Sequence, residues 1–191
     1  MLSYIIKKLF VLYFHLKGWK LKGKIPKEVK KGVLIFAPHT SNEDFIHTIA
    51  CAEILKVKLR FLGKAELFKF PVKKLLLDMG GLPVNRKNSH NLVDYMISLL
   101  NGAEELIIAI PAEGTRKLTK TWKTGFYHVA KGANVPVLLA YLDYENKLAG
   151  VGEVFYTTDD TNADFKYIEN FYADAKAKYP ELFSNKIQVK E

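Results

Sequence analysis

The segment His39-Thr-Ser-Asn-Glu-Asp44 sets an imidazole five residues before a carboxylate. If the two touch, the carboxylate fixes the imidazole tautomer and leaves the other ring nitrogen as a base. This is the orienting half of a catalytic triad without a protein nucleophile, so the attacking oxygen would belong to the substrate. A five-residue step turns about 500° on a helix and separates the two side chains. They meet if His39 lies on a loop and Asp44 in the first turn of the following helix, a start for which Thr40 and Ser41 are suitable caps. A plainer reading stands beside this one. Ser41-x-x-Asp44 is a capping-box variant, in which Asp44 serves only the helix terminus.

A second cluster, Glu113-Gly114-Thr115-Arg116, combines a carboxylate, a glycine, a hydroxyl and a forked cation. Arginine grips phosphate through paired hydrogen bonds, which suits an anionic headgroup. Lys117, Lys120 and Lys123 follow it. The plainer reading is an Arg–Glu ion pair in a turn. Between the clusters, Gly80-Gly-Leu-Pro-Val-Asn-Arg86 brings one cation after a tight turn, which by itself suits a solvated loop. A metal set of His39, Asp44, His47 and Glu113 matches no standard zinc spacing and has no thiolate partner. No phosphate-binding or dinucleotide-binding glycine loop is present.

The elements that must position these residues follow from apolar patterning. Short apolar runs at 33–37, 59–62, 82–84, 106–110, 135–142 and 151–156 read as strands. Between them, helices are expected at 44–55, 68–79, 92–100 and 124–130, with a last one at 163–178. Alternating strands and helices predict a single α/β domain with a largely parallel sheet flanked by helices. Ligands in such sheets sit beyond the carboxyl ends of strands. His39 follows one strand by two residues and Glu113 another by three, so both motifs fall where a site is expected.

The chain of 191 residues is 49% hydrophobic and 26% charged, as in an ordinary globular protein. Its single cysteine, Cys51, excludes an internal disulfide and fits a reducing compartment. The net charge of +9 is uneven: residues 1–31 hold nine lysines against Glu28 alone. This basic segment suits a polyanionic surface. Leu2, Ile5, Leu9, Leu12 and Leu16 share one helical face, widened by Ile6, Phe10, Tyr13 and Phe14. So apolar a helix favours a lipid interface over nucleic acid. Its longest apolar run, Leu9–Phe14, is far short of the ~20 residues that cross a bilayer. Lys7 and Lys8 split the apolar stretch and no small-residue cleavage site follows, so a secretory signal is not expected. The alternative is a helix that packs its apolar face on the domain itself. The expected organisation is a basic amphipathic arm over 1–31 and a catalytic body over 32–191.

In combination these residues resemble the glycerophospholipid acyltransferase family, whose best-known members are 1-acylglycerol-3-phosphate acyltransferases. The resemblance covers about residues 33–142. His39 and Asp44 match its His-x4-Asp motif, Gly81 and Arg86 its glycine-led turn ending in arginine, and residues 113–116 its Glu-Gly-Thr-Arg motif. Val135-Pro136-Val137 matches a fourth, and Gly63–Leu67 looks like the segment between the first two. Pro38, Glu43 and Asn85 depart from the family's usual neighbours, which bears on the acceptor pocket and leaves the base and its orienter intact. The small size and basic arm look like a compact bacterial branch.

The resemblance implies O-acyl transfer from a thioester donor, acyl-CoA or acyl-carrier protein, to a lysophospholipid hydroxyl, with 1-acylglycerol-3-phosphate as the first-choice acceptor. His39 and Asp44 would be catalytic. Lys64, Arg86, Glu113, Gly114, Thr115 and Arg116 would bind the acceptor. No metal, other cofactor or nucleic acid is expected. The setting implied is the cytoplasmic face of a membrane, reached through residues 1–31. The alternative acceptors are lyso-amino-acid lipids such as ornithine or glycine lipids, and a transacylase using a phospholipid donor is a further reading. A non-catalytic basic module on membrane or nucleic acid is the alternative of a different class.

Overall fold

All six apolar runs form strands of one sheet, and the runs at 33–37, 106–110 and 135–142 bury side chains on both of its faces. The structure, a computed structural model, describes residues 1–85 and 90–187. In chain order its elements are α1 (Leu2–Leu16), β1 (Lys20–Lys22), β2 (Lys31–Ala37), α2 (Glu43–Leu55), β3 (Leu59–Lys64), α3 (Lys73–Asp78), β4 (Gly81–Val84), α4 (His90–Asn101), β5 (Leu106–Pro111), α5 (Gly125–Ala133), β6 (Val137–Asp143), β7 (Leu148–Phe155) and α6 (Thr161–Phe171). The strands form a seven-stranded sheet in the order β1-β7-β6-β2-β5-β3-β4. Only the β6–β7 pair is antiparallel. This is a single α/β domain with a mixed, mostly parallel sheet and helices on both faces.

The alternation divides the core. Val33, Ile35, Ile108, Val137 and Leu139 face one way, onto Met96 and Leu100 of α4, Phe126 and Val129 of α5, and Phe165 and Ile168 of α6. Leu34, Phe36, Ile107, Ala109 and Leu138 face the other, onto Ile49 of α2 and Met79 after α3. Two helices are shorter than their patterns predict. The helix expected over 68–79 begins only at Lys73. Pro71 lacks an N–H and biases the residue before it away from helix. Phe68 is instead held flat on the sheet: a Cβ on Gly63 would lie 2.7 Å from its ring, and one on Gly81 2.8 Å. The last helix stops at Phe171 rather than continuing to 178. Tyr172 is fully buried, and its hydroxyl donates to Ile35 O at 3.2 Å and Ala140 O at 2.8 Å. The chain beyond then runs back toward the site, where Tyr179 N donates to Thr40 Oγ1 at 3.3 Å.

Residues 1–31 are built into this domain. Strand β1, which the sequence pattern did not mark, pairs with the edge strand β7. Helix α1 packs along α2 through Ile6, Phe10 and Phe14, four residues apart, and Lys8 Nζ pairs with Glu53 Oε1 at 2.8 Å. Phe14 is fully buried. The face singled out from the sequence, Leu2, Ile5, Leu9, Leu12 and Leu16, points outward and is 47–77% exposed. The helix is thus apolar on two sides, one spent on the domain and one left open. Among the described residues no helix is long and apolar enough to cross a membrane.

Phe14→Ala removes a fully buried ring between α1, Trp19 and His47. It should destabilise the whole domain by about 3–5 kcal/mol in urea unfolding. A cost below about 1 kcal/mol would mean that α1 is not part of the cooperative core.

Candidate active site

The parallel register brings four loops to one rim. Phe36 pairs with Pro111 and Phe61 with Ala109, so β2, β5 and β3 end at one level, and Lys64 pairs with Val84 at the end of β4. His39, Lys64 and residues 113–116 therefore leave the same carboxyl edge of the sheet. Arg86, expected with them, lies outside the described residues.

His39 sits on the loop between β2 and α2, and Asp44 in the first turn of α2 behind the N-cap Asn42. His39 Nδ1 and Asp44 Oδ2 are 3.1 Å apart. Ser41 N donates to the same Asp44 oxygen at 2.8 Å. One carboxylate oxygen thus serves the helix entry and the imidazole together, so Asp44 is not only a helix-terminus residue, and the N-cap is Asn42 rather than Thr40 or Ser41. Its other oxygen, Oδ1, accepts from the Tyr144 hydroxyl. Asp44 is fully buried, whereas the His39 side chain is 16% exposed. With Nδ1–H donating to the carboxylate, Nε2 carries the lone pair. Among the described residues Nε2 makes no hydrogen bond.

Glu113, expected among the groups that hold a headgroup, lies beneath the site. It is 2% exposed, and its Oε2 accepts from the backbone N of His39 at 2.7 Å. Its Oε1 is buried with no partner among the described residues. Burial, followed by the charge of Asp44, pushes its carboxyl up to about 8, while the His39 backbone bond pulls the other way. The contact braces the His39 backbone from strand β5. Gly114 has φ +68°, a left-handed conformation that explains glycine at this place. Thr115 Oγ1 accepts from Lys117 N at 3.2 Å and shapes the turn. Arg116 does not pair with Glu113: its guanidinium reaches over to Asn42 Oδ1, at the start of α2. Exposed Lys64 stands at the end of β3.

His47 lies one turn beyond Asp44 but turns away from the rim. It is fully buried, with Trp19 at 4.1 Å and Phe14, Tyr144 and Tyr13 at 5.8–6.0 Å between ring centroids. Burial holds it down to about 4, so it is neutral at physiological pH. Among the described residues, no group of three or more His, Cys, Asp or Glu side chains could hold a metal ion. Tyr144 is the site residue that sequence reasoning missed. It belongs to no motif, and only the return of the chain after β6 carries it to Asp44.

The Glu113 geometry has a pH signature. Its folded value near 8 lies above its ordinary 4.5, so its contribution to stability is full below about 4.5 and is lost as pH rises through about 8. His47 acts with the opposite sign: its depressed value near 4 favours the fold above about 6.5 and is lost as pH falls. The readout is therefore a difference between wild type and Glu113→Gln, which keeps an acceptor for His39 N. Wild type should lose stability relative to this variant between about pH 4.5 and 8, measured by urea midpoints. A flat difference across that window would show that Glu113 is not held protonated.

An imidazole on a loop paired with a carboxylate in the helix turn that follows, braced from the neighbouring strand and near an arginine, is an arrangement able to deprotonate a hydroxyl beside an anion. A family model described as Acyltransferase matches residues 19–141, more than half of the chain and both motifs. No curated protein and no solved structure matches. The chain belongs to the acyltransferase family, and it is an acyltransferase enzyme that moves an acyl group to a lipid acceptor.

Proposed function

We propose that this enzyme transfers a fatty acyl group from a thioester, acyl-CoA or acyl-carrier protein, to the free hydroxyl of 1-acylglycerol-3-phosphate, giving phosphatidic acid. The observation that carries this reading is the 3.1 Å contact of His39 Nδ1 with a buried Asp44, which leaves Nε2 on the open side of the ring. Nε2 takes the proton of the acceptor hydroxyl as its oxygen attacks the thioester carbonyl. The tetrahedral intermediate collapses with loss of thiolate, which recovers that proton from the imidazolium. Asp44 stabilises the imidazolium between the two steps. A thioester carries its own leaving group, so the reaction calls for no metal.

Arg116, Lys64 and Arg86 are the cations proposed for the acceptor phosphate, and Arg116 in particular offers a forked donor set. Gly114 and Thr115 shape the turn that presents Arg116. Glu113 is proposed to act from beneath by fixing the His39 backbone, because its burial and its bond to His39 N keep it from a headgroup.

The enzyme is further proposed to work on the cytoplasmic face of a membrane. Supporting this, the outer stripe Leu2, Ile5, Leu9, Leu12 and Leu16 leaves a row of apolar side chains in solvent on a lysine-rich segment. Such a helix lies in an interface, with lysines reaching toward anionic headgroups.

His39→Ala should lower acyl transfer by at least about 1,000-fold in a variant that still folds, as checked by its circular dichroism. Near-normal turnover would remove the dyad mechanism. The acceptor is tested with wild type and one acyl-CoA against saturating 1-acylglycerol-3-phosphate, lyso-ornithine lipid and lyso-glycine lipid. A higher kcat/KM on an amino-acid lipid would replace the phosphate assignment.

For the membrane, Leu9→Ser combined with Leu12→Ser should reduce co-sedimentation with anionic liposomes about tenfold or more, with unchanged urea stability. Undiminished liposome binding by the folded variant would rule out the α1 stripe as the anchor.

A further inference from the structure

Asp44 has a partner that no motif contains. Tyr144 stands in the turn between β6 and β7, one hundred residues on in sequence and beyond the span matched by the family model. Its hydroxyl donates to Asp44 Oδ1, and burial followed by the Asp44 charge raises that hydroxyl far above the usual phenol range, so it remains a donor. Its position is set from several directions. Its backbone N donates to Lys176 O at 2.9 Å. Its ring meets Trp19 edge to face, 4.9 Å between centroids at 88°, and Trp19 in turn lies over His47 at 4.1 Å. The N-terminal segment that follows α1 thus clamps the ring whose hydroxyl reaches the carboxylate.

We propose that Tyr144 is a positioning residue for acyl transfer, holding Asp44 Oδ1 so that Oδ2 stays aimed at His39 Nδ1. The inference rests on the reading of His39 and Asp44 as the catalytic pair. A carboxylate can turn about its Cβ–Cγ bond, and Ser41 N and His39 Nδ1 both approach Oδ2 alone. Without the phenol, Oδ1 would be left unpartnered in a fully buried place, which favours a turn of the group away from the imidazole. The charged groups around the phenol are Asp44 and Glu43 of α2 and Lys178, which pairs with Glu43 Oε1 at 2.7 Å. Lys17 and Lys147 also line the small cleft beside the ring. Of these five groups, only Asp44 hydrogen bonds the hydroxyl.

The test uses the full chain and Tyr144→Phe, which keeps the ring against Trp19 and His47 and removes only the hydroxyl. The expected result is a fall in kcat of about 10- to 100-fold, as for loss of one hydrogen bond to a charged group. The KM for acceptor and donor should not change, because the role proposed for the phenol is on Asp44 and not on either substrate. By proton NMR, the low-field imidazole N–H resonance that His39→Ala abolishes should shift or broaden in the Phe variant. A purely packing role for Tyr144 would leave that resonance and kcat unmoved in the folded variant, and that result overturns the proposal. A raised KM with intact kcat overturns it as well.

If Tyr144→Phe fails to fold, a ring-fluorinated tyrosine at 144 keeps the fold and strengthens the donor. The same resonance should then move, and a resonance identical to that of wild type counts against the proposal. Full activity in His39→Ala would instead remove the catalytic pair itself, an outcome separate from the behaviour of Tyr144.

Discussion

A carboxylate sealed from water is the constraint around which this molecule is arranged. Asp44 is fully buried, and a buried charge is tolerated only where donors replace lost hydration. Three donors do so here: the His39 ring, the Ser41 backbone and the Tyr144 hydroxyl. They come from the loop after β2, from the entry to α2 and from the turn after β6. The positive end of α2 adds a favourable field at its first turn. Moving any of these segments would strand the charge, so satisfying Asp44 and holding the His39 imidazole in place are one structural requirement.

The loop that carries His39 is also held from below. Glu113 at the end of β5 hydrogen bonds the His39 backbone, while Arg116 of the same motif crosses above to Asn42. The two motifs therefore grip each other through one buried contact and one exposed contact. The loop that follows is tied down by the C-terminal segment, where Trp122 N donates to Lys186 O at 2.8 Å and Ile187 N to Glu169 Oε1 at 2.7 Å. An imidazole held through both its side chain and its backbone has little orientational freedom left to lose.

Helix α1 shows how one short element serves two environments. Ile6, Phe10 and Phe14 bury into the domain, and the stripe from Leu2 to Leu16 stays outside. Because the next segment carries Trp19 against Tyr144 and His47, the outward-facing helix and the buried Asp44 belong to one continuous packed unit. Interiors packed in this way deform little, so the apolar stripe and the His39–Asp44 pair keep a fixed relation.

Sequence alone determined the strand runs, the α/β class, the order of the motifs and the family. Apolar runs of strand length and residues of fixed chemistry at fixed spacing are local properties that need no partner to be read. It also marked the outer face of α1, since helical periodicity reports a stripe whatever covers it. It could not say which of two apolar faces would be buried, nor find β1, whose three residues Lys20–Lys22 carry no apolar pattern. It gave helix where Pro71 and Phe68 oppose it, and it extended α6 past Tyr172, whose buried hydroxyl ends the element through contacts with β2 and β6. Only the tertiary structure decided that Glu113 is buried against the His39 backbone, and that the Tyr144 hydroxyl joins the shell of Asp44. Those two roles depend on chain segments brought together across 74 and 100 residues, a pairing that sheet order and register create and that no local pattern records.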